Sequence, residues 1–400
     1  MECDTRVNAK TLRFGDIFAG VCARYTELIN YFGQNERQIL KDIEMLVKTE
    51  SPSDRADLLK ICSAKIQDLI EDRTGLTAIV TKTEEGNDII RFGKYTHGKK
   101  HVLILAHYDT VFPAGTLENM PFTRREGIIT GPGVFDMKTG LIMGLWAVKF
   151  ALENQEEMED FEFIITPDEE VGSTGSRSLI LEEARNAIFA LVLEPSEAGK
   201  IKTGRKGVAN YEIIIHGKSA HAGLHPEQGI SAINEMSRIV LKINEFQRTE
   251  AGTAVNVGYI EGGTRSNVVP AYSRILVDVR TNSKQEIERI DREFKRLRPE
   301  NTETVMEVNL LSYRPPMVKV AQTDIIVKKI KIIGKDLGLD IEECSVGGAS
   351  DGNIVSETGV PVIDGMGAVG GGAHSESEYV IESSIRVRTA FLGAVIMDVK

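Results

Sequence analysis

Apolar positions recur at helical spacing early in the chain. Ile39, Leu40, Ile43, Leu46 and Val47 fall three and four apart and predict a helix over 36–48. Leu58, Leu59, Cys62, Ile66, Leu69 and Ile70 predict a second helix. The first 35 residues show no strong period and read as an N-terminal extension. Strands follow at 77–81, 102–106 (the continuous apolar run VLILA), 161–166 and 190–193, separated by helical patterns over 138–152 and 175–185. Uninterrupted apolar strands are buried on both faces, as in a parallel sheet with helices on each side. Strand and helix alternate, so this half is α/β.

The character changes near residue 205. Strands at 211–215, 253–260, 275–280 and 304–310 alternate with helices marked by Ile233, Met236, Ile239, Val240 and Ile243, and by Ile287, Ile290, Phe294 and Leu297. The order βαββαβ is the ferredoxin-like split unit. Arg314-Pro315-Pro316 closes it, and alternation resumes with a helix over 324–337. The expected architecture is an α/β domain with a mixed, mostly parallel sheet (1–204 and 315–400), interrupted by an inserted α+β domain (205–314).

Lys+Arg 48 against Asp+Glu 59 leaves a net charge of −11, which disfavours a nucleic-acid binder because phosphate binding needs a basic footprint. No apolar run approaches the ~20 residues of a membrane span. Cys3, Cys22, Cys62 and Cys344 include no C-x-x-C pair, and their scarcity fits a reducing, cytoplasmic location. His97 and His101, beside Lys99 and Lys100, read as a solvated turn.

Candidate chemistry gathers where the apolar strands end. His107-Tyr108-Asp109 follows VLILA, Asp168-Glu169-Glu170 follows the strand ending at Thr166, and Glu194 follows the run FALVL. Asp136 precedes the helix at 138, and a Gly-rich loop from Gly365 to Gly372 delivers His374. Ligands of open α/β sheets collect at the carboxyl ends of strands. Taken singly, each residue has an ordinary explanation: Asp136 is equally an N-cap, and Glu169-Glu170 a solvated turn. Together, several carboxylates in one crevice repel unless divalent cations neutralise them, and two cations suit this set better than one. Mixed nitrogen and oxygen ligands favour zinc, with cobalt or manganese as substitutes. Gly217-Lys218-Ser219 is no P-loop, since Glu212 stands where a glycine is needed, and no G-x-S-x-G elbow occurs.

The segments LAHYDTVFPAG, GPGVFDMKTG, ITPDEEVGSTGS, LEPS, GKSAHAG, SNVVP, DVR and GGGAHSESEYV together resemble the di-zinc exopeptidases of metallopeptidase family 20, over residues 36–400. Among its subgroups the chain is most similar to glutamate carboxypeptidase. The resemblance implies two zinc ions per chain. His107 and Glu194 would hold one, Glu170 and His374 the other, and Asp136 would bridge them, with a cis peptide to Met137. Asp109 would orient His107, and Glu169 would be general base and acid. His221 would steady the oxyanion across a dimer interface, while Asn267, Arg280 and Arg205 would bind the substrate carboxylate. The inserted domain would act as a lid and pair with its twin in a homodimer.

The expected activity is hydrolysis of an amide bond next to a free carboxylate, releasing a C-terminal amino acid, glutamate favoured, from a peptide or N-acyl amino acid. Alternatives on the same chemistry are a deacylase or a dipeptidase. A more distant one is a non-catalytic binding protein, which the intact Glu169 disfavours.

Overall fold

The computed structural model describes residues 23–94, 96, 99–154 and 160–399. The chain divides into two compact units, 1–202 with 319–344 and 360–400, and 203–318 with 345–359.

The first unit is built on a six-stranded sheet in the order Ile79–Lys82, Asp88–Lys94, Phe161–Thr166, His101–His107, Ala187–Val192, Val362–Ile363. The last four run parallel, and the first two add an antiparallel edge. Every residue of His101–His107 and of Phe161–Thr166 is buried, Glu162 included, as in a sheet covered on both faces. The helix Thr139–Asn154 packs against Ala23–Val47, Ala56–Thr74 and Glu382–Asp398, which is why it is apolar nearly all round.

Three features depart from expectation. The first helix begins by Ala23, so residues 23–35 of the supposed extension belong to the helical core rather than to an extension. Tyr25, Leu28, Ile29 and Phe32 are buried, and the Phe32 ring lies 5.7 Å from that of Phe150. Burying such a side chain stabilises the fold by roughly 1.5–3 kcal/mol. Residues 1–22 lie outside the described residues, Cys3 and Cys22 among them. His101 is not solvated: it opens the central strand and is buried, its Nε2 3.6 Å from Glu162 Oε2. His97 lies outside the described residues. Finally, the strand Asp88–Lys94 has no counterpart in the predicted elements.

The second unit carries an antiparallel sheet in the order Ala254–Gly262, Tyr272–Thr281, Gly207–His216, Val305–Arg314. Its βαββαβ succession has the ferredoxin-like strand order. Burial alternates along Gly207–His216, and the buried face packs on Ala232–Asn244 and Lys284–Arg296. Tyr211 stacks on Phe294 with centroids 3.8 Å apart. Ser231 and Ser283 cap the two helices, accepting from the main-chain N–H of Asn234 and Glu286. Residues 345–359 group with this unit rather than with the segments around them. Asn353 Nδ2 donates to the carbonyls of Lys206 (3.0 Å) and Pro315 (2.6 Å), contacts that a boundary at 315 does not anticipate.

Candidate metal centre

The carboxyl ends of three neighbouring parallel strands set out the first unit's polar cluster. His107 ends its strand with Nδ1 3.0 Å from the carbonyl oxygen of Asp109 and 3.3 Å from its carboxylate. Those acceptors place the ring proton on Nδ1 and turn Nε2 the other way. Nε2 then lies 3.2 Å from Asp136 Oδ1 and 3.6 Å from Glu194 Oε1.

Asp136 sits in a tight turn before the helix Thr139–Asn154, and its peptide bond to Met137 is cis. Its second oxygen, Oδ2, is 3.3 Å from His374 Nε2, which is also 3.2 Å from Glu170 Oε2. One carboxylate therefore stands between two imidazoles. Gly140 lets this helix approach the strand end, since a Cβ there would overlap the carbonyl oxygen of Leu193, next to Glu194. That is a physical reason for the glycine in the segment GPGVFDMKTG.

Glu169 and Glu170 share a single helical turn directly after Asp168. Asp109 holds both: its Oδ1 accepts the N–H of Glu169 and its Oδ2 that of Glu170, each at 3.1 Å. The same carboxylate accepts from Ser53 Oγ at 2.7 Å, a contact across 56 residues. Nothing in the sequence pattern singles out Ser53. Asp109 is fully buried and so joins the His107 strand to the Glu169–Glu170 turn.

The electrostatics follow from this crowding. Burial opposes a charge on His107, but the Asp109 and Asp136 carboxylates outweigh it and raise the imidazole well above its ordinary value. Hydrogen bonds to Asp136 and Glu170 raise His374 to about 11. Burial works against ionising Asp136, yet the two imidazoles hold its carboxyl below the usual range. Such a set attracts positive charge, and a divalent cation can supply it in place of the imidazole protons. The donors fit that role. Ligand atoms of His107, Asp136 and Glu170 lie within 4.8 Å of one another, as do those of His107, Glu169 and Glu194. Glu170 Oε1 is buried without a hydrogen-bond partner, an acceptor that a cation would satisfy.

The remaining predicted residues lie in the second unit. His221 is exposed, and its Nδ1 accepts from the N–H groups of Gly223 (3.2 Å) and Leu224 (3.1 Å). Nε2 therefore carries the ring proton and is a donor. The Asn267 carbonyl accepts from Ala222 N–H at 3.0 Å, bringing the loops of His221 and Asn267 together. Arg280 is half-buried on its strand, donating from Nε to Asp278 Oδ1 at 2.9 Å. Arg205 stands next to Lys206 in sequence. It is buried, and its Nη1 donates to the carbonyl of Gly348 at 3.2 Å.

Among the described residues no helix is long and apolar enough to cross a membrane. The signature of peptidase family M20/M25/M40 matches residues 103–398. Carboxypeptidase G2 of Pseudomonas sp. (strain RS-16) is 30% identical over 372 residues, covering 90% of this chain and 89% of its own. Acetylornithine deacetylase of Myxococcus xanthus is 27% identical, covering 74% and 80% respectively. A metallo-carboxypeptidase of the M20 family from Sulfolobus solfataricus superposes with a TM-score of 0.70 at 17% identity, over 90% of this chain and 99% of its own, a likeness of fold. The chain belongs to peptidase family M20/M25/M40, whose members are metal-dependent hydrolases.

Proposed function

We propose that this protein is a two-zinc exopeptidase that releases a C-terminal amino acid, glutamate favoured, from a peptide or N-acyl amino acid. The observation that carries the reading is the Asp136 carboxylate standing between the imidazoles of His107 (3.2 Å) and His374 (3.3 Å), with Glu194 and Glu170 on either side. His107, Asp136 and Glu194 would hold one ion, and Asp136, Glu170 and His374 the other. Bound zinc supplies an acidified water and polarises the scissile carbonyl.

The protein's own groups do the rest. Glu169 accepts the proton of the attacking water as its oxygen bonds to the carbonyl carbon, then delivers it to the nitrogen as the carbon–nitrogen bond breaks. Asp109 keeps His107 turned and Glu169 aimed. His221 Nε2–H donates to the developing oxyanion. Arg280 and Asn267 hold the free carboxylate of the substrate, with Arg205 fixing the loop beside it. The inserted unit pairs with its twin in a homodimer. The name of the relative from Pseudomonas, a carboxypeptidase, supports cleavage at a C-terminus. The name of the relative from Myxococcus xanthus, a deacetylase, favours N-acyl amino acids as a second reading.

A substrate panel separates the two. Purified protein supplied with zinc should hydrolyse benzoyl-glutamate and peptides ending in glutamate faster than acetyl amino acids. Chelation should abolish both activities, and zinc, cobalt or manganese should restore them. Faster turnover of acetyl amino acids would move the assignment to the deacylases, and activity that survives complete metal removal would remove it altogether.

His221→Ala should lower kcat by about 10²- to 10³-fold, the cost of losing one oxyanion donor. Metal content should not change. Mixing this variant with Glu169→Ala protein should recover some activity if the imidazole reaches its partner's site. Absence of recovery in verified mixed dimers would confine each site to one chain.

A further inference from the structure

The loop that carries His374 is anchored four residues later by a carboxylate whose role has no place in the mechanism above. Glu378 is fully buried. Its Oε1 accepts the main-chain N–H groups of Phe135 (2.7 Å) and Asp136 (2.9 Å), and its Oε2 accepts that of Gly133 (3.2 Å). These donors are the backbone of the turn that presents Asp136. The opposite side of the anchor is equally short. Between Gly372 and Glu378 the chain closes on itself: Ser375 N–H donates to the Gly372 carbonyl at 3.0 Å, and Glu378 N–H to the Ser375 carbonyl at 3.1 Å. A Cβ at Gly372 would crowd the Ser377 carbonyl oxygen, and His374 holds a φ of 62° within this turn. Directly after Glu378, Tyr379–Ile381 pairs with Ile128–Thr130, the strand that leads into the Asp136 turn.

From this geometry we infer that Glu378 is a positioning residue, which fixes the His374 loop to the backbone of the Asp136 turn and so sets the spacing between these two side chains. The inference rests on the reading of Asp136 and His374 as metal ligands and adds a residue that touches neither ion. Strand pairing brings the two loops into register, but it leaves three buried N–H groups needing an acceptor. A carboxylate meets all three and cannot swing without breaking them. A ligand pair 3.3 Å apart, drawn from loops 238 residues distant in sequence, needs such a tie.

The test uses the full-length protein and Co²⁺ as the probe, with visible absorption reporting ligand geometry and a metal titration reporting affinity. Glu378→Gln keeps the size but sets an amide N–H₂ against a main-chain N–H. It should bind Co²⁺ about 10- to 100-fold more weakly than wild type, the usual cost of losing a group that orients a ligand. Its Co²⁺ spectrum should be altered, while circular dichroism remains that of the folded protein. Glu378→Asp keeps the charge with a shorter reach and should fall between the two; it also serves as the folded variant should the glutamine form fail to fold. Co²⁺ affinity and spectrum at wild-type values in a folded variant would overturn the inference. Wild-type protein that binds no Co²⁺ while His374→Ala behaves identically would instead overturn the reading of the metal ligands.

Discussion

Glu169→Gln is expected to lower kcat by about 10²- to 10⁴-fold, the usual contribution of a positioned general acid–base group. That corresponds to roughly 3–5 kcal/mol of transition-state stabilisation at 1.36 kcal/mol per decade. Metal content should stay near two ions per chain. The separation of the two readouts follows from how the turn is held. Asp109 binds the main-chain N–H groups of Glu169 and Glu170, not their side chains, so the substitution leaves the turn in place. Glu170 and His374 are 3.2 Å apart and do not depend on Glu169. The competing assignment is a direct ligand role, because the Glu169 carboxylate lies in the same 4.8 Å group as His107 and Glu194. Metal analysis of the glutamine variant decides between them. A variant that loses an ion makes Glu169 a ligand, and one that keeps both ions and full turnover makes it neither ligand nor base.

Why the clustered His, Asp and Glu residues were legible in the sequence is a matter of topology. His107, Glu170 and Glu194 each follow an apolar run, and parallel strands bring the residues that follow them to one end of the sheet. Chain order and hydrophobicity were enough to infer that they meet. The buried carboxylate of Asp109 acts on its near neighbours His107, Glu169 and Glu170 through contacts that its position two residues after the strand already suggests. Other features depend on partners that no local pattern names. Ser53 meets Asp109 only after the chain has laid down a helix and three strands. Lys99, Lys100 and His101 look like a polar turn, yet His101 is drawn inside because the central strand begins there. Arg205 has a lysine beside it in sequence and the main-chain carbonyl of Gly348 beside it in space. The segment Asp88–Lys94 mixes charged and apolar residues. It is a strand because Phe161–Thr166 offers it an edge, pairing Ile90 with Ile165 and Phe92 with Phe163. Residues 345–359 join the second unit through Asn353, whose carbonyl partners at Lys206 and Pro315 lie far away in sequence.

Asp136→Ala is expected to empty both metal positions rather than one. Its two carboxylate oxygens face different imidazoles, Oδ1 toward His107 and Oδ2 toward His374. Removing it leaves His107 with Glu194 and His374 with Glu170, two protein ligands for each ion. Sites of this chemistry ordinarily supply three. The loss is electrostatic as well. At neutral pH His374, raised to about 11, holds a proton that a cation must displace, and the Asp136 charge helps to draw that cation in. A ligand that binds only the folded state adds RT ln(1 + [L]/Kd) to stability, about 2.7 kcal/mol at 100 times Kd. Wild-type protein should therefore melt at a higher temperature when zinc is added, and the alanine variant should show no such rise. Its activity should fall to background, since both the acidified water and the polarised carbonyl depend on bound metal. Elemental analysis gives the decisive number. Near-zero zinc in the variant supports a shared carboxylate, one retained ion assigns Asp136 to a single position, and two retained ions would show that the carboxylate between the imidazoles is not a ligand.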